Sequence, residues 1–130
     1  MAVSHECDFS AEANAKPRPT HCEIYGQGLP SAEIDRWVSE RLRSGGSLYT
    51  IDEPLLRGLA PQLILTQKLC DVCAPAYGSV AGLADALPSQ PRVLNLYPRC
   101  LADMLRNIRE VGAAMGHPER ADGVVAELER

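Results

Sequence analysis

Two cysteines, Cys70 and Cys73, form a C-x-x-C motif in this sequence. Thiolates at this spacing can chelate zinc or close a redox-active disulfide. A structural zinc site normally has four ligands, and the sequence holds no second C-x-x-C and no spaced pair of histidines. Cys7 and His5 complete a ligand set only if two distant loops meet. The motif is therefore open to two interpretations: a metal or redox site formed by Cys70, Cys73 and Cys7, or partly buried structural thiols.

Four polar residues in a row, His5-Glu6-Cys7-Asp8, lie near the N-terminus. The preceding residues, Ala2 to Ser4, predict a very short strand, which would put the four residues in the loop that follows it. All four side chains can bind metals, but adjacent residues rarely direct their side chains at one ion. We interpret the loop either as facing a ligand or a metal, or as an exposed polar turn.

Tyr97 follows another apolar run, Val93 to Leu96, which predicts a strand. An aromatic ring at the end of a strand can stack on a flat ligand, or it can cover the edge of the core. Trp37, the only tryptophan, recurs at helical spacing with Ile34 and is predicted to be a core residue or a lobe surface contact.

Short apolar runs that alternate with helical patterns position these residues. Leu63 to Leu65 predicts a second buried strand. Helices are predicted from Ser31 as N-cap to Gly45-Gly46, from Thr50 or Asp52 to Leu59, along the stripe Val80, Leu83, Ala84 and Leu87, from Leu101 to Met115, and from Ala121 onwards. Phe9 to Pro30 is predicted to be a long irregular connection because prolines and glycines interrupt it.

This alternation predicts an α/β fold, a parallel sheet flanked by helices. Ligands of such sheets bind beyond the carboxyl ends of the strands. The loops at 4–8, 67–73 and 96–99 have that position, and they contain all the chemically distinctive residues described above. This coincidence predicts a ligand site formed by the three loops.

Composition limits the function classes. A net charge of −4 with scattered basic residues argues against nucleic-acid binding. No run of about 18 apolar residues exists, so no membrane insertion is expected. The first residues, Met1 to Glu6, lack the pattern of an export signal, which predicts a cytoplasmic chain.

The cysteine count and the absence of catalytic motifs from the sequence limit the function further. Five cysteines are an odd number and favour reduced thiols over a complete disulfide framework. Phosphate-cradling loops, dinucleotide fingerprints and nucleophile elbows are missing from the sequence. We therefore expect a protein that is not an enzyme.

Several stretches carry a family resemblance that covers nearly the whole chain. They are Val3 to Asp8, Pro30 to Asp35, Ser47 to Tyr49, Leu59 to Gln67, Leu69 to Cys73, Pro91 to Leu94 and Ile108 to Gly112. Together they resemble the solute-binding proteins that capture cobalamin or ferric siderophores for ABC importers, specifically the cobalamin-binding branch.

The resemblance implies a three-layer Rossmann-like lobe, truncated at both ends relative to the family. Residues 1–117 would form this single α/β lobe, and residues 118–130 would begin the helix that connects it to a second lobe. The three loops would face the cleft between the lobes. The implied ligand-binding residues are Ser4, His5, Glu6, Cys7, Gln67, Leu69, Cys70, Asp71 and Tyr97.

The implied ligand is cobalamin or an iron complex, and the implied partner is an importer permease. Family members are commonly periplasmic, in contrast to the cytoplasmic location expected from the first residues of this chain. The alternative from the residues themselves is a thiol-based protein that uses Cys70 and Cys73 to bind zinc or another metal, or for redox chemistry. A third hypothesis is a truncated relative without independent function, which would self-associate through its exposed sheet edge and apolar patches.

Overall fold

Residues 1–67 and 77–130 are described by the structure, a computed structural model. Within them the chain is mixed α/β, with six helices and two small sheets, one of which is parallel. In chain order the elements are α1 (Ala11–Asn14), β1 (Thr20–Cys22), α2 (Ser31–Arg43), β2 (Tyr49–Ile51), α3 (Glu53–Leu59), β3 (Leu63–Gln67), α4 (Tyr77–Ala86), β4 (Arg92–Leu96), α5 (Leu101–Ala114) and α6 (Pro118–Leu128).

The parallel sheet consists of β3 and β4, and it confirms both strands that the apolar runs predict. The prediction that Leu63 to Leu65 is a buried strand is wrong, however, because Leu65 is 45% exposed. Leu63 lies opposite Arg92 and Gln67 opposite Leu96, so the two carboxyl ends are level. Helix α4 packs on both strands. Its predicted stripe is confirmed, because Val80, Ala84 and Leu87 are buried. The α/β class with a parallel strand pair is thus confirmed at this coarse level.

The second sheet is an antiparallel pair of β1 and β2, with Thr20 opposite Ile51 and Cys22 opposite Tyr49. The prediction that Phe9 to Pro30 is wholly irregular is therefore wrong, since α1 and β1 form within it. Strand β1 has only three residues and its partner is distant in sequence, so its pairing is a tertiary effect that local periodicity does not reveal.

The predicted strand at Ala2 to Ser4 is also wrong, because the segment has no strand structure. Val3 donates one backbone hydrogen bond to the carbonyl of Pro17, at 3.0 Å. A ladder does not extend from it because Pro17 and Pro19 have no N–H to donate.

Two helix starts refine the predicted caps. Pro30 is the N-cap of α2, so the predicted cap at Ser31 is wrong by one residue. Asp52 is the N-cap of α3, which confirms one of the two predicted caps, Thr50 or Asp52. Its Oδ1 accepts a hydrogen bond from the Leu55 N–H at 2.9 Å. A side-chain acceptor here satisfies a backbone donor that has no partner within the helix.

Helices α5 and α6 form an antiparallel hairpin. Gly116 turns the chain with φ 76°, and the His117 N–H donates to the Gly112 carbonyl at 2.7 Å. Ala121 and Val125 of α6 are buried in the hairpin. In residues 1–67 and 77–130, no helix combines the length and the apolar character that crossing a bilayer requires.

Candidate functional site

His5 is the buried centre of the first predicted loop, with a relative exposure of 9%. Its backbone N–H donates to the Thr20 hydroxyl at 3.0 Å, and its Nδ1 lies 2.9 Å from the same oxygen. The ring packs edge-to-face on Tyr25, with centroids 5.0 Å apart, and lies 5.6 Å from the ring of Tyr49. His5 therefore joins the loop to the antiparallel sheet.

Arg18 fixes the backbone of the same loop. Its Nη1 donates to the carbonyls of Ser4 at 2.9 Å and His5 at 2.7 Å. Its Nη2 donates to the Cys7 carbonyl at 2.9 Å and to Asn14 Oδ1 at 3.2 Å. The planar guanidinium thus holds three loop carbonyls at once, which only its fork of donors allows. Sequence reasoning missed Arg18; its one signal is its place between two prolines.

The electrostatics around His5 favour the neutral imidazole. Burial lowers the pKa of His5, Glu6 opposes that change, and His21 and Arg18 reinforce it. Nε2 is buried and has no hydrogen-bond partner among the described residues. A neutral ring with one nitrogen on Thr20 is a packed, structural group in this state.

The geometry of the first loop gives little support for a metal site. Cys7 is exposed, and its Sγ lies 3.5 Å from Ser4 Oγ. Across 1–67 and 77–130, no three His, Cys, Asp or Glu side chains converge in an arrangement that could hold a metal ion. Leu69, Cys70, Asp71 and Cys73 lie outside the described residues, so the predicted C-x-x-C site stays a prediction.

A cleft of about 370 Å³ lies beside the first loop, between α2, β2 and the segment that follows β1. Its described lining residues are Glu6, Cys22, Ile24, Tyr25, Gly26, Gly28, Leu29, Ile34, Trp37, Val38, Leu48 and Tyr49. Cys22 and Leu48 are buried at its base, whereas Tyr25 is half-exposed. Within this set, the sequence singled out Glu6 as a ligand-binding residue and did not identify the aromatic walls.

The wall formed by α2 carries the single tryptophan. The guanidinium of Arg41 lies 5.8 Å from the centre of the Trp37 ring. Arg41 also pairs with Glu23 at 3.1 Å and donates to the Ser47 carbonyl at 3.1 Å. Trp37 is therefore a half-buried wall of the cleft, with its outer side next to an ion pair.

Gln67 and Tyr97 lie at the carboxyl edge of the parallel sheet. Gln67 ends β3 opposite Leu96, and Tyr97 follows β4 directly. Tyr97 is 51% exposed, so its ring is available to a ligand. The strand register brings these two predicted residues to one edge, while Ser4 to Cys7 are held against β1.

Asp103, in the first turn of α5, holds the segment that follows Tyr97. It is 8% exposed; Oδ2 accepts a hydrogen bond from the Arg99 N–H at 3.0 Å, and Oδ1 one from Arg106 at 2.7 Å. The Arg99 N–H is the main cause that lowers the pKa of Asp103, with further help from Cys100 and Arg106. Cys100, the N-cap, makes no capping hydrogen bond with its side chain, so Asp103 organises the turn after Tyr97 instead.

Comparison of the chain with protein-family models, with curated proteins and with solved structures finds no match.

Proposed function

We propose that this chain is a ligand-binding module and not an enzyme, resembling the N-terminal lobe of a cobalamin or iron-complex binding protein. In this proposal residues 1–117 form a three-layer Rossmann-like lobe, and residues 118–130 begin a connecting helix. The observation that carries it is the level carboxyl edge of β3 and β4, with Gln67 and Tyr97 upon it. This is the edge at which parallel α/β sheets bind their ligands.

The chemistry of that edge suits a flat, polar-rimmed ligand. The exposed Tyr97 ring offers a stacking surface, and the Gln67 amide offers both a donor and an acceptor. The loop from Ser4 to Cys7 is proposed to add polar contacts to the ligand. An importer permease is the proposed partner, on the sequence resemblance alone.

Titration with aquocobalamin and with a ferric siderophore, followed by absorbance and calorimetry, tests the proposal. We expect saturable binding of one ligand that Tyr97→Ala weakens about tenfold, in line with the loss of one aromatic contact. Met115→Ala is the matched control, because Met115 is equally exposed but lies at the opposite end of α5. Absence of binding at high micromolar concentrations of both ligands would refute the proposal.

The same preparation tests the thiol alternative by elemental analysis of the reduced protein. Zinc bound in a one-to-one ratio, and lost in Cys70→Ser, would replace the proposal with a metal-binding function for the C-x-x-C motif. Metal-free protein with ordinary thiol reactivity would eliminate that alternative.

A further inference from the structure

The cleft beside α2 combines aromatic walls with a single carboxylate. Tyr25, Tyr49 and Trp37 supply three rings, and the buried Leu48 lies at its base. Glu6, on the exposed side of the first loop, is the one described lining residue that carries a charge at neutral pH. The sign of the field in the cleft therefore depends on Glu6 and on the charges just outside it.

The neighbouring cations are engaged elsewhere. Arg18 directs its guanidinium at three loop carbonyls and at Asn14, and Arg41 pairs with Glu23. Within the described part of the chain, Glu6 makes no ion pair. Burial is the main cause that raises the pKa of Tyr49, and the charge of Glu6 raises it further, so that charge acts on the wall of the cleft.

We propose that this cleft binds an organic cation, a protonated amine or quaternary ammonium on a compact apolar body. Ring faces attract cations electrostatically, most strongly where water is partly excluded. Glu6 is placed to pair with the cationic head, while Ile34 and Leu29 offer apolar surface to the body. The volume of about 370 Å³ falls at the lower end of small-molecule sites, which suits a ligand of this size.

This proposal differs from the one made for the edge of the parallel sheet, although the first loop, which contains Glu6, takes part in both. A corrinoid is too large for the cleft to enclose, and the cleft contains neither Gln67 nor Tyr97. Tyr97→Ala should leave cation binding unchanged, so the two proposals can fail separately.

Phenethylamine and phenylpropionate test the sign of the charge preference on the unmodified protein. They share an aromatic body and differ in the charge of the head group. Trp37 is the only tryptophan and lines the cleft, so its fluorescence reports occupancy directly. We expect the amine to bind at least tenfold more tightly than the acid, because the same carboxylate attracts one head group and repels the other.

Glu6→Gln then tests the residue, with calorimetry as a second readout. The neutral amide should weaken phenethylamine binding about twofold to fivefold, the range for an ion pair near the surface. Glu110→Gln, an equivalent change on the exposed face of α5, should leave the affinity unchanged. Equal binding of amine and acid, an unaltered affinity in Glu6→Gln, or no binding of phenethylamine at millimolar concentration would each overturn the proposal.

Discussion

Replacing Gly112 with alanine should test the packing of the α5–α6 hairpin more directly than any other single substitution. A Cβ added at Gly112 would overlap the Cβ of Ala121 and would lie 3.1 Å from the His117 carbonyl oxygen. Both obstacles are attached rigidly to the backbone, so the helices themselves must separate. Overpacking of this kind costs about 1–3 kcal/mol.

The expected magnitude follows from two opposing effects. Alanine in a helix interior is favoured over glycine by about 1 kcal/mol. At Gly123 of α6, no atom of the described residues outside the helix's own backbone lies within 4 Å of the added Cβ, so Gly123→Ala should show that gain alone. At Gly112 this gain is set against the overpacking cost, which leaves a net loss of at most about 2 kcal/mol.

Urea unfolding followed by circular dichroism provides the measurement. The two alanine variants should differ by the overpacking cost, about 1–3 kcal/mol in the free energy of unfolding, which corresponds to about 3–15 °C in Tm for a chain of this size. In the double variant, Ala121→Gly should relieve the clash and give a coupling energy equal to the overpacking cost, about 1–3 kcal/mol. If Gly112→Ala stabilises the protein as much as Gly123→Ala, then the close approach of α5 and α6 is refuted.

Three further changes test the first loop and its neighbours. Asp52→Ala should lower the free energy of unfolding by about 1 kcal/mol, through loss of the cap on α3, and Asp52→Asn should retain most of it; equal losses in the two variants would contradict the capping role. Burial lowers the pKa of His5 in the folded protein, so the free energy of unfolding should fall as the pH drops from the ordinary pKa of 6.5 through the lowered value. Urea midpoints across this range should show a slope that His5→Gln reduces, and an unchanged slope in that variant would contradict the assignment. Arg18→Met should lower the free energy of unfolding by about 2 kcal/mol, because the hydrogen bonds from a charged donor to the loop carbonyls are lost. Arg36→Met, on the exposed face of α2, should lower it hardly at all in the same unfolding assay. Similar losses in the two variants would exclude Arg18 as the residue that holds the loop.

The parallel strands and the longer helices could be predicted because each carries its own evidence. Leu63 to Leu65 is a continuous apolar run, which predicts a strand, and β3 forms there although Leu65 is 45% exposed and the strand is not buried on both faces. The stripe from Val80 to Leu87 is set by burial against the sheet. In such elements the local pattern is enough to predict the type of element, and for the stripe of α4 it also predicts which residues are buried.

The antiparallel sheet could not be predicted in the same way. Strands β1 and β2 have three residues each, and α2 lies between them along the chain. Strands this short show no readable alternation, so they are defined by their pairing rather than by their own residues. Ala2 to Ser4 is the opposite case, in which a strand is predicted and does not form. Its backbone bonds to Pro17, which has no N–H with which to continue a ladder.

The candidate site was only partly predictable for a similar reason. The strand ends that carry Gln67 and Tyr97 follow from the strand predictions. The contact of Arg18 with three carbonyls depends on where the first loop lies in space, which the sequence does not encode locally. The cleft likewise brings Tyr25 and Trp37 together from separate segments.

The position of the first loop links the two proposed sites. The three-loop hypothesis assumed that Ala2 to Ser4 is a strand of the parallel sheet, which would carry His5 and Glu6 to the same edge as Gln67. That strand does not form, and the loop is held by Arg18 and Thr20 instead. The position of the loop therefore depends on Arg18 and Thr20, and not on a strand of the parallel sheet.

A consequence is that the two sites should respond differently to the same pair of variants. Arg18→Met releases the loop that carries Glu6, so it should weaken binding of phenethylamine in the cleft. Cobalamin binding should weaken in this variant only if Ser4 to Cys7 contact that ligand. Tyr97→Ala should affect cobalamin alone. A variant at Arg18 that reduces amine binding and spares cobalamin binding would confine the ligand site of the parallel sheet to the loops after β3 and β4.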